Sequence, residues 1–363
     1  MQFFDRCFIF IFILMLTLPL VFVDLSKDRI SVLENRMLAK FPNMNDLKHH
    51  QGQFIRDFDA WFKDSTGFRE KLISLYKKTD GFLGQNAYLD GKSIVIIGKE
   101  GHHFHTHGNQ LLPIWQGKRW LDDTQSFELS NKLNSINKYL KERKIPFIVM
   151  LCTDKESIYP EYYSDFVIKG PEPSSLDAVV DYISANTSID FFCIKENLLK
   201  EKENWLLYPK TGDIYELCHY NETGSFIAYR ELMEHINKYL PNLKSFTFDD
   251  VDITYLINGS SNVNLKQEKN FKKIEPRFFD DAVEFENEDL SLPTLLLICD
   301  SYAEWFKNFI PQHFGRVIMH HYFTINHFEE YINLYKPDIV VLESAERAIP
   351  IFAKNVIDMH ELP

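Results

Sequence analysis

The stretch LLLICDSYAEW, residues 295–305, is an apolar run that ends in an acid, a serine and an aromatic residue. An apolar run of this length is typical of a strand that is buried on both faces of a parallel sheet. Open α/β sheets place their chemistry just beyond the carboxyl ends of such strands. Ser301 is therefore either a nucleophile at that edge of the sheet or a hydroxyl that ends a strand.

Similar apolar runs alternate with amphipathic segments along most of the chain. This alternation predicts an α/β fold with a mostly parallel sheet that helices cover on both faces. Residues 241–290 are polar and acidic, and we interpret them as an insertion of loops or short strands. The predicted strands are 93–98, 145–152, 189–194, 292–300, 316–320 and 338–343, and the predicted helices are 50–83, 124–143, 174–186, 224–240, 302–313 and 323–335.

Composition and charge narrow the class of protein. The 363 residues are enough for one large domain or two ordinary ones. A hydrophobic content of 45% and an aromatic content of 15% indicate a folded core. The formal net charge of −12 argues against binding to nucleic acid or to anionic lipid, because both require a basic surface.

The N-terminus contains an uncharged apolar stretch at residues 7–23. At about 1.5 Å per residue in a helix it measures roughly 25 Å, the short end for a membrane span. Arg6 precedes it and no A-x-A cleavage pattern follows it, which favours an uncleaved signal anchor over a cleaved signal peptide. We therefore divide the chain into an anchor or signal peptide (1–24), a linker (25–50) and one extracytoplasmic domain (51–363).

A serine hydroxyl becomes a useful nucleophile when an imidazole takes its proton. Among the 13 histidines the best candidate for that base is His219, in HYNETGSFIAYREL (219–232). Asn221 and Gly224 follow it and predict the start of a helix. His219 then either projects from a loop into a cleft or lies on the surface beside Asn221 as the helix N-cap. Both interpretations fit these residues.

Charged residues follow two other predicted strands. Lys155 lies in TDKESIYPEYY (153–163), and Arg347 lies in PDIVVLESAER (337–347). Because parallel strands end at the same edge of a sheet, both side chains are predicted on the rim that carries Ser301. They either line a cleft there or pair with neighbouring charges.

The stretch GKEGHHFHTHG (98–108) has four histidines within six residues. Strand geometry would put His103, His105 and His107 on one face. No nearby acid completes a ligand set, and the five cysteines show no CxxC spacing. We therefore predict no metal site and no cofactor.

Seven segments, in order, resemble the alginate O-acetyltransferase family (AlgJ/AlgX type), which are SGNH-hydrolase-like proteins of the bacterial periplasm. The resemblance implies a three-layer α/β/α sandwich. It also implies that an acetyl group passes through an acetyl-serine to a hydroxyl of a secreted polysaccharide. The segments are ENRMLAKFP (34–42), DSTGFREKLI (64–73), IVIIGKEGHHF (94–104), IPFIVMLCTDKESIYPE (145–161), HYNETGSFIAYREL (219–232), LLLICDSYAEW (295–305) and KPDIVVLESAER (336–347).

The same resemblance implies partners and site residues. The expected partners are the polysaccharide, a multipass membrane acyltransferase that supplies acetyl, and the inner membrane, to which the N-terminal segment would anchor a periplasmic protein. Residues 299–302 match the family's Gly-Asp-Ser-Phe-like serine segment, and residues 219–221 match its Asp-x-His-Trp-Asn-like base segment. The predicted substrate-binding residues are Asn221, Tyr302, Tyr220, Lys155 and Arg347.

Two positions depart from the family pattern. Cys299 stands where the serine segment has glycine, and Leu217 stands where the base segment has its acid. Asp213 is the candidate for a displaced acid, with Glu216 as the alternative. Loss of the acid costs a Ser-His-Asp triad roughly 10⁴ in turnover, so an isolated His219 would leave a feeble or inactive protein.

Three functions therefore follow from the sequence. The first is O-acetylation of a bacterial polysaccharide. The second is a non-catalytic role, in which the protein binds glycan or scaffolds the acetylation machinery. The third is a carbohydrate acetylesterase of the same fold, since hydrolysis and transfer differ in whether water or a sugar hydroxyl takes the acyl group.

Overall fold

The computed structural model of the chain describes residues 2–23, 30–31, 36–44, 47, 51–67, 71, 87–89, 92–105, 111–117, 121–163, 169, 173–267 and 271–363. The chain divides into two compact units, Met1–Ser93 and Ile94–Pro363. The boundaries predicted from sequence, at residues 24 and 50, lie elsewhere and stay a prediction.

Where it is described, the first unit holds two helices of 15 residues or more and several short strands. Its elements are α1 (Gln2–Val21), β1 (Ile30–Ser31), β2 (Arg36–Met37), α2 (Gln51–Ser65) and β3 (Ala87–Leu89). β1 and β2 pair antiparallel. Phe54, Phe58 and Phe62 stack along α2 at i, i+4 spacing, with ring centroids 6.2 Å apart. The remainder of the helix predicted over 50–83 falls largely on residues 68–70 and 72–86, outside the described residues.

The predicted membrane anchor falls on α1. Within the described part of the chain, no helix is long and apolar enough to span a bilayer.

The second unit contains the main sheet. Its strands are β4 (Lys92–Ile97, which begins at the unit boundary), β5 (His103–His105), β6 (Phe147–Cys152), β7 (Asp190–Cys193), β8 (Val251–Tyr255), β9 (Ser261–Leu265), β10 (Phe271–Ile274), β11 (Val283–Asn287), β12 (Thr294–Cys299), β13 (Arg316–His321) and β14 (Ile339–Ala345). Seven of them form one sheet in the order β10-β11-β13-β12-β14-β6-β7. The five strands from β13 to β7 are parallel, and β11 and β10 complete one edge in antiparallel pairing.

The α-helices of this unit are α3 (Leu111–Trp115), α4 (Asp123–Glu142), α5 (Lys155–Ile158), α6 (Ser175–Asn186), α7 (Lys195–Glu201), α8 (Ile214–Leu217), α9 (Glu222–Asn237), α10 (Phe328–Tyr335) and α11 (Ile349–Ile357). Short 3-10 helices cover residues 99–101, 160–162, 248–250, 301–308, 310–312, 322–327 and 346–348. Most of these helices lie on the two faces of the sheet.

Each central strand is buried on both faces. In β12, Leu295 and Leu297 pack into one core with residues of α9, such as Phe226. Leu296 and Ile298 pack into the opposite core with residues of α4, α6, α10 and α11. The predicted mostly parallel sheet with helices on both faces is therefore confirmed.

The structure differs from the prediction at three places. Residues 301–308 and 310–312 form 3-10 helices rather than one α-helix over 302–313, and Pro311, which lacks an N–H donor, interrupts the run. A 3-10 helix over 322–327 precedes α10. The insertion at 241–290 does more than form loops, because its strands β10 and β11 extend the central sheet.

The two-sided burial of β12 predicts a large cost for a cavity there. We expect Leu297→Ala, at a fully buried position, to lower the free energy of unfolding by about 2–5 kcal/mol. Leu290→Ala removes the same atoms from a side chain that is 62% exposed, and should change stability by less than about 0.5 kcal/mol. Denaturant unfolding of both variants measures the difference, and equal losses would contradict this packing.

Candidate active site

Ser301 and His219 meet at the carboxyl edge of the central sheet. The Ser301 hydroxyl lies 2.8 Å from His219 Nε2, although the two residues are 82 positions apart in the chain. Ser301 follows β12 directly, and His219 lies between α8 and α9. The structure thus brings together the residues predicted as nucleophile and base.

Asp300 fixes the backbone that carries Ser301. Its carboxylate accepts the N–H of Tyr302 at 2.9 Å, as the N-cap of the 3-10 helix over 301–308. It also accepts the N–H of Ala345 at 2.8 Å, which joins the ends of β12 and β14. Ser301 is the first residue of its helix, where an N–H has no acceptor within the helix.

Asn221 likewise fixes the backbone that carries His219. Its side-chain oxygen accepts the N–H of Gly224 at 3.0 Å and so caps α9. Its amide group donates to the carbonyls of Leu206 and Gly259 at 2.7 and 2.9 Å. Asn221 is buried, and these bonds hold the residue two positions after His219 between three segments.

The partner of His219 Nδ1 is a backbone carbonyl. Nδ1 lies 2.7 Å from the carbonyl oxygen of Tyr215, one helical turn earlier in the chain. A carbonyl only accepts, so Nδ1 must carry the proton and donate it. Nε2 is then unprotonated and accepts the Ser301 hydroxyl, which is the tautomer that a general base requires.

The two predicted acids, Asp213 and Glu216, lie next to the hydrogen bond at His219 Nδ1 but do not take part in it. The N–H of Glu216 donates to Asp213 Oδ1 at 2.9 Å, and the N–H of Asp213 donates to Glu216 Oε2 at 3.2 Å. Glu216 Oε1 also accepts from Asn258 and Ser260, both at 3.4 Å. Among the described residues, neither carboxylate is hydrogen-bonded to His219.

Arg347 supplies a fixed positive charge at the base. Its Nη2 lies 3.4 Å from His219 Nε2. The guanidinium forms a buried ion pair with Asp154 and donates to the carbonyl of Cys218. Burial first, and then the charge of Arg347, lower the pKa of His219 to about 4. The imidazole is therefore neutral at pH 7 and able to accept a proton.

Further carboxylates are buried at this edge of the sheet. Glu343 accepts the N–H of Asp300 at 3.1 Å, and Glu346 accepts the N–H of Asp154 at 3.0 Å. Burial, and then the charge of Asp154, raise the pKa of Glu346 to about 8. Burial, and then Asp300, raise the pKa of Glu343 above its ordinary range. Glu343 thus supports the backbone beside Ser301, and Glu346 supports the backbone at Asp154.

Like Asn221, three more of the predicted substrate-binding side chains lie inside the protein. Tyr302 donates its hydroxyl to Asp154 at 2.8 Å, and Tyr220 donates to the carbonyl of Tyr302 at 3.0 Å. Lys155 Nζ is buried and donates to main-chain carbonyls, among them that of His103 at 2.8 Å. Burial lowers the pKa of Lys155 to about 7. All three hold neighbouring segments together.

The histidine-rich stretch shows ordinary packing in its described part. His102 stacks on Tyr162 with ring centroids 3.9 Å apart, and His105 Nδ1 lies 3.1 Å from Cys218 Sγ. His107 lies outside the described residues. In the described ranges, no group of three or more histidine, cysteine, aspartate or glutamate side chains is placed to hold a metal ion.

Sequence reasoning missed Tyr215. Its carbonyl orients the base, and its ring lies against the imidazole with centroids 4.4 Å apart. The i, i+4 spacing to His219 was a signal for this proximity. The role of the carbonyl had no signal, because every residue carries one.

No protein-family profile matches the sequence, and no curated protein is significantly similar to it. PatB1 from Bacillus cereus, in a structure with a sulfonyl adduct, is 13% identical at a TM-score of 0.54, over 73% of this chain and 99% of that chain. A second PatB1 structure is 12% identical at a TM-score of 0.53, over 74% and 99%. The chain shares the fold of PatB1. The O-acetyltransferase domain of Pseudomonas putida AlgJ is 12% identical at a TM-score of 0.43, over 73% and 99%.

The lowered pKa of His219 predicts a specific pH dependence. Neutral His219 activates Ser301, so the rate of Ser301 modification by phenylmethylsulfonyl fluoride should hold from neutral pH down to a midpoint near 4. Removal of Arg347 should move that midpoint upward, toward the ordinary imidazole value of 6.5.

The measurement requires the double variant Arg347→Met/Asp154→Asn, because Arg347→Met alone leaves Asp154 buried and unpaired at a cost of about 3–5 kcal/mol. His219→Ala gives the background rate, and circular dichroism at each pH shows that the proteins are folded. An identical midpoint in the parent and the double variant would show that Arg347 lowers the pKa of His219 by no more than Asp154 raises it, which contradicts the expected upward shift.

Proposed function

We propose that this protein is an SGNH-type O-acetyltransferase that carries an acetyl group on Ser301 and passes it to a hydroxyl of an extracytoplasmic polysaccharide. The observation that carries the proposal is the 2.8 Å contact between Ser301 Oγ and His219 Nε2, with Nδ1 held by a carbonyl. The family resemblance of the sequence supports the proposal, as does the fold shared with PatB1, a protein known with a sulfonyl adduct.

The residues provide for both halves of the transfer. Ser301 Oγ attacks the acetyl carbonyl and its proton passes to His219 Nε2; collapse of the tetrahedral intermediate expels the donor's leaving group, which takes that proton. In the second half an acceptor hydroxyl gives its proton to Nε2 and attacks acetyl-Ser301. The acetyl ester of the acceptor leaves, and Ser301 regains its proton.

Two groups are suited to stabilise the oxyanion of each tetrahedral intermediate. The N–H of Ser301 lies at the N-terminus of the 3-10 helix, where it has no acceptor within the helix. The guanidinium of Arg347 lies beside Nε2 and favours negative charge. One such donor is worth about 2.7–4 kcal/mol of transition-state stabilisation.

The carbonyl of Tyr215 replaces only part of what a carboxylate does. It selects the required tautomer, but it has no full negative charge to stabilise the imidazolium that forms during reaction. Arg347 opposes the imidazolium further. We therefore expect slow turnover relative to an enzyme with a complete Ser-His-Asp triad.

A second function is favoured by that same contact. Because His219 meets a carbonyl instead of Asp213 or Glu216, a non-catalytic protein that binds glycan or scaffolds an acetylation complex fits the geometry as well.

In both proposals the protein acts outside the cytoplasm, beside a membrane acyltransferase that supplies acetyl, and the N-terminal segment anchors it to the inner membrane.

Formation of the acetyl-enzyme decides between these functions. We expect mass spectrometry to find acetyl on Ser301 after the protein is incubated with p-nitrophenyl acetate. Ser301→Ala and His219→Ala should each abolish it. Phenylmethylsulfonyl fluoride is a second probe, since PatB1 is known with a sulfonyl adduct. Absence of both adducts from folded wild-type protein would refute catalysis and leave the non-catalytic role.

The contact with Tyr215 predicts the behaviour of the two nearby acids. Asp213→Asn and Glu216→Gln should each keep the rate of Ser301 acetylation within about threefold, because neither carboxylate holds Nδ1. A stopped-flow burst of p-nitrophenol measures that rate. A drop on the order of 10⁴ in either variant would identify that residue as the triad acid after all.

A further inference from the structure

Tyr215 is distinguished by its exposure. Its ring lies 4.4 Å from the ring of His219, centroid to centroid, and is tilted by 39°. The residue is 48% exposed, whereas Tyr220 and Tyr302, which also border the catalytic pair, are 1% and 0% exposed. An aromatic face open to solvent thus stands directly beside the base.

The accessible charges around this ring are negative. Glu304 lies one helical turn after Ser301 and has a side chain that is 50% exposed, and Asp213, two residues before Tyr215, is also exposed. Glu304 lies on the 3-10 helix that Ser301 begins, Ser301 contacts His219, and His219 contacts the ring of Tyr215, so Glu304 and Tyr215 both lie beside the catalytic pair. Burial first, and then the charge of Glu304, raise the pKa of Tyr215. The cationic side chains near the ring are less accessible to a ligand, because each is paired and mostly buried. Lys307 pairs with Glu304 and is 22% exposed, and Arg347 pairs with Asp154 and is 9% exposed.

An exposed aromatic ring flanked by carboxylates has the chemistry of a site for an uncharged sugar. One face of a pyranose is apolar and packs on an aromatic ring, and polar groups at the edge then fix its orientation. Carboxylates are strong acceptors for sugar hydroxyls. They repel a uronate carboxylate, because like charges in juxtaposition cost binding energy.

We propose that Tyr215 and Glu304 form the acceptor subsite, and that this subsite takes an uncharged pyranose rather than a uronate. The sugar stacks on Tyr215, so that one of its hydroxyls reaches His219 and acetyl-Ser301. This inference rests on the proposed acetyltransferase function. It also assigns Tyr215 two separate roles, since its carbonyl orients the base and its ring binds the acceptor.

The test separates acylation from transfer. Full-length protein is loaded with p-nitrophenyl acetate in the presence of cellopentaose, fully N-acetylated chitopentaose or pentagalacturonate. Acetylated oligosaccharide is measured against the burst that reports acetyl-Ser301. We expect transfer to at least one neutral pentamer at a rate at least tenfold above that to pentagalacturonate. We expect Glu304→Gln to narrow that ratio.

Matched variants assign the effect to the ring. Tyr215→Ala keeps the backbone carbonyl and should raise the KM for the neutral acceptor at least tenfold, whereas Tyr215→Phe keeps the ring and should stay within about threefold. Tyr239→Ala removes a tyrosine of similar exposure, 42%, outside the site and should not change the KM. The rate of Ser301 sulfonylation in each variant reports whether the base is still in position.

The outcomes are distinct. Preferred transfer to pentagalacturonate, or an acceptor KM that is unchanged in Tyr215→Ala, overturns the acceptor subsite. A normal acetyl-Ser301 burst without transfer to either neutral pentamer also overturns it, while the nucleophile of the proposed function stands. Absence of the burst itself refutes the proposed function.

Discussion

The ion pair between Asp154 and Arg347 is the interaction on which the rest of the site depends. Their side chains are 2% and 9% exposed, so both charges are taken out of water and each needs the other. Asp154 also accepts the hydroxyl of Tyr302, beside Ser301, while Arg347 reaches the Cys218 carbonyl and His219. One pair thereby fixes the ends of β6, β12 and β14 relative to the loop that carries the base.

This arrangement explains why the base is neutral and also why it is weak. The guanidinium that organises the loop opposes a second positive charge on His219, and burial acts in the same direction. A carboxylate at Nδ1 would counter both effects, but the position holds a carbonyl. Ser301 therefore has a well-oriented proton acceptor with a low affinity for the proton. Stabilisation of negative charge on the reacting carbonyl must then provide a larger share of the rate enhancement.

The sheet was readable from the sequence because burial on both faces leaves continuous apolar runs, as in LLLIC before Asp300. The edge strands β10 and β11 were harder to assign. Stretches such as FKKI and VEFEN are short and partly polar, and they resemble exposed loops until they are paired. The 3-10 helix that begins at Ser301 has the amphipathic pattern of an α-helix, and the pattern does not separate the two.

Motif order predicted that Ser301 and His219 lie at converging segment ends, and the structure has their side chains 2.8 Å apart. It did not identify the partner of Nδ1. The expected partner was an acidic side chain near Leu217. The group that accepts from Nδ1 belongs instead to the main chain. The sequence also does not distinguish the buried Tyr220 and Tyr302 from the exposed Tyr215. All three are tyrosines among neighbours of mixed polarity, and only the packing separates them.

The main-chain partner of His219 has a consequence for genetics. A catalytic aspartate is lost through a single nucleotide change, but no codon substitution at position 215 deletes a carbonyl. Saturation mutagenesis at position 215 would thus report only the role of the side chain. It would not detect the hydrogen bond between the main-chain carbonyl and the imidazole. Replacement of the amide between Tyr215 and Glu216 by an ester, through semisynthesis, weakens that acceptor, and it also removes the N–H that Glu216 donates to Asp213.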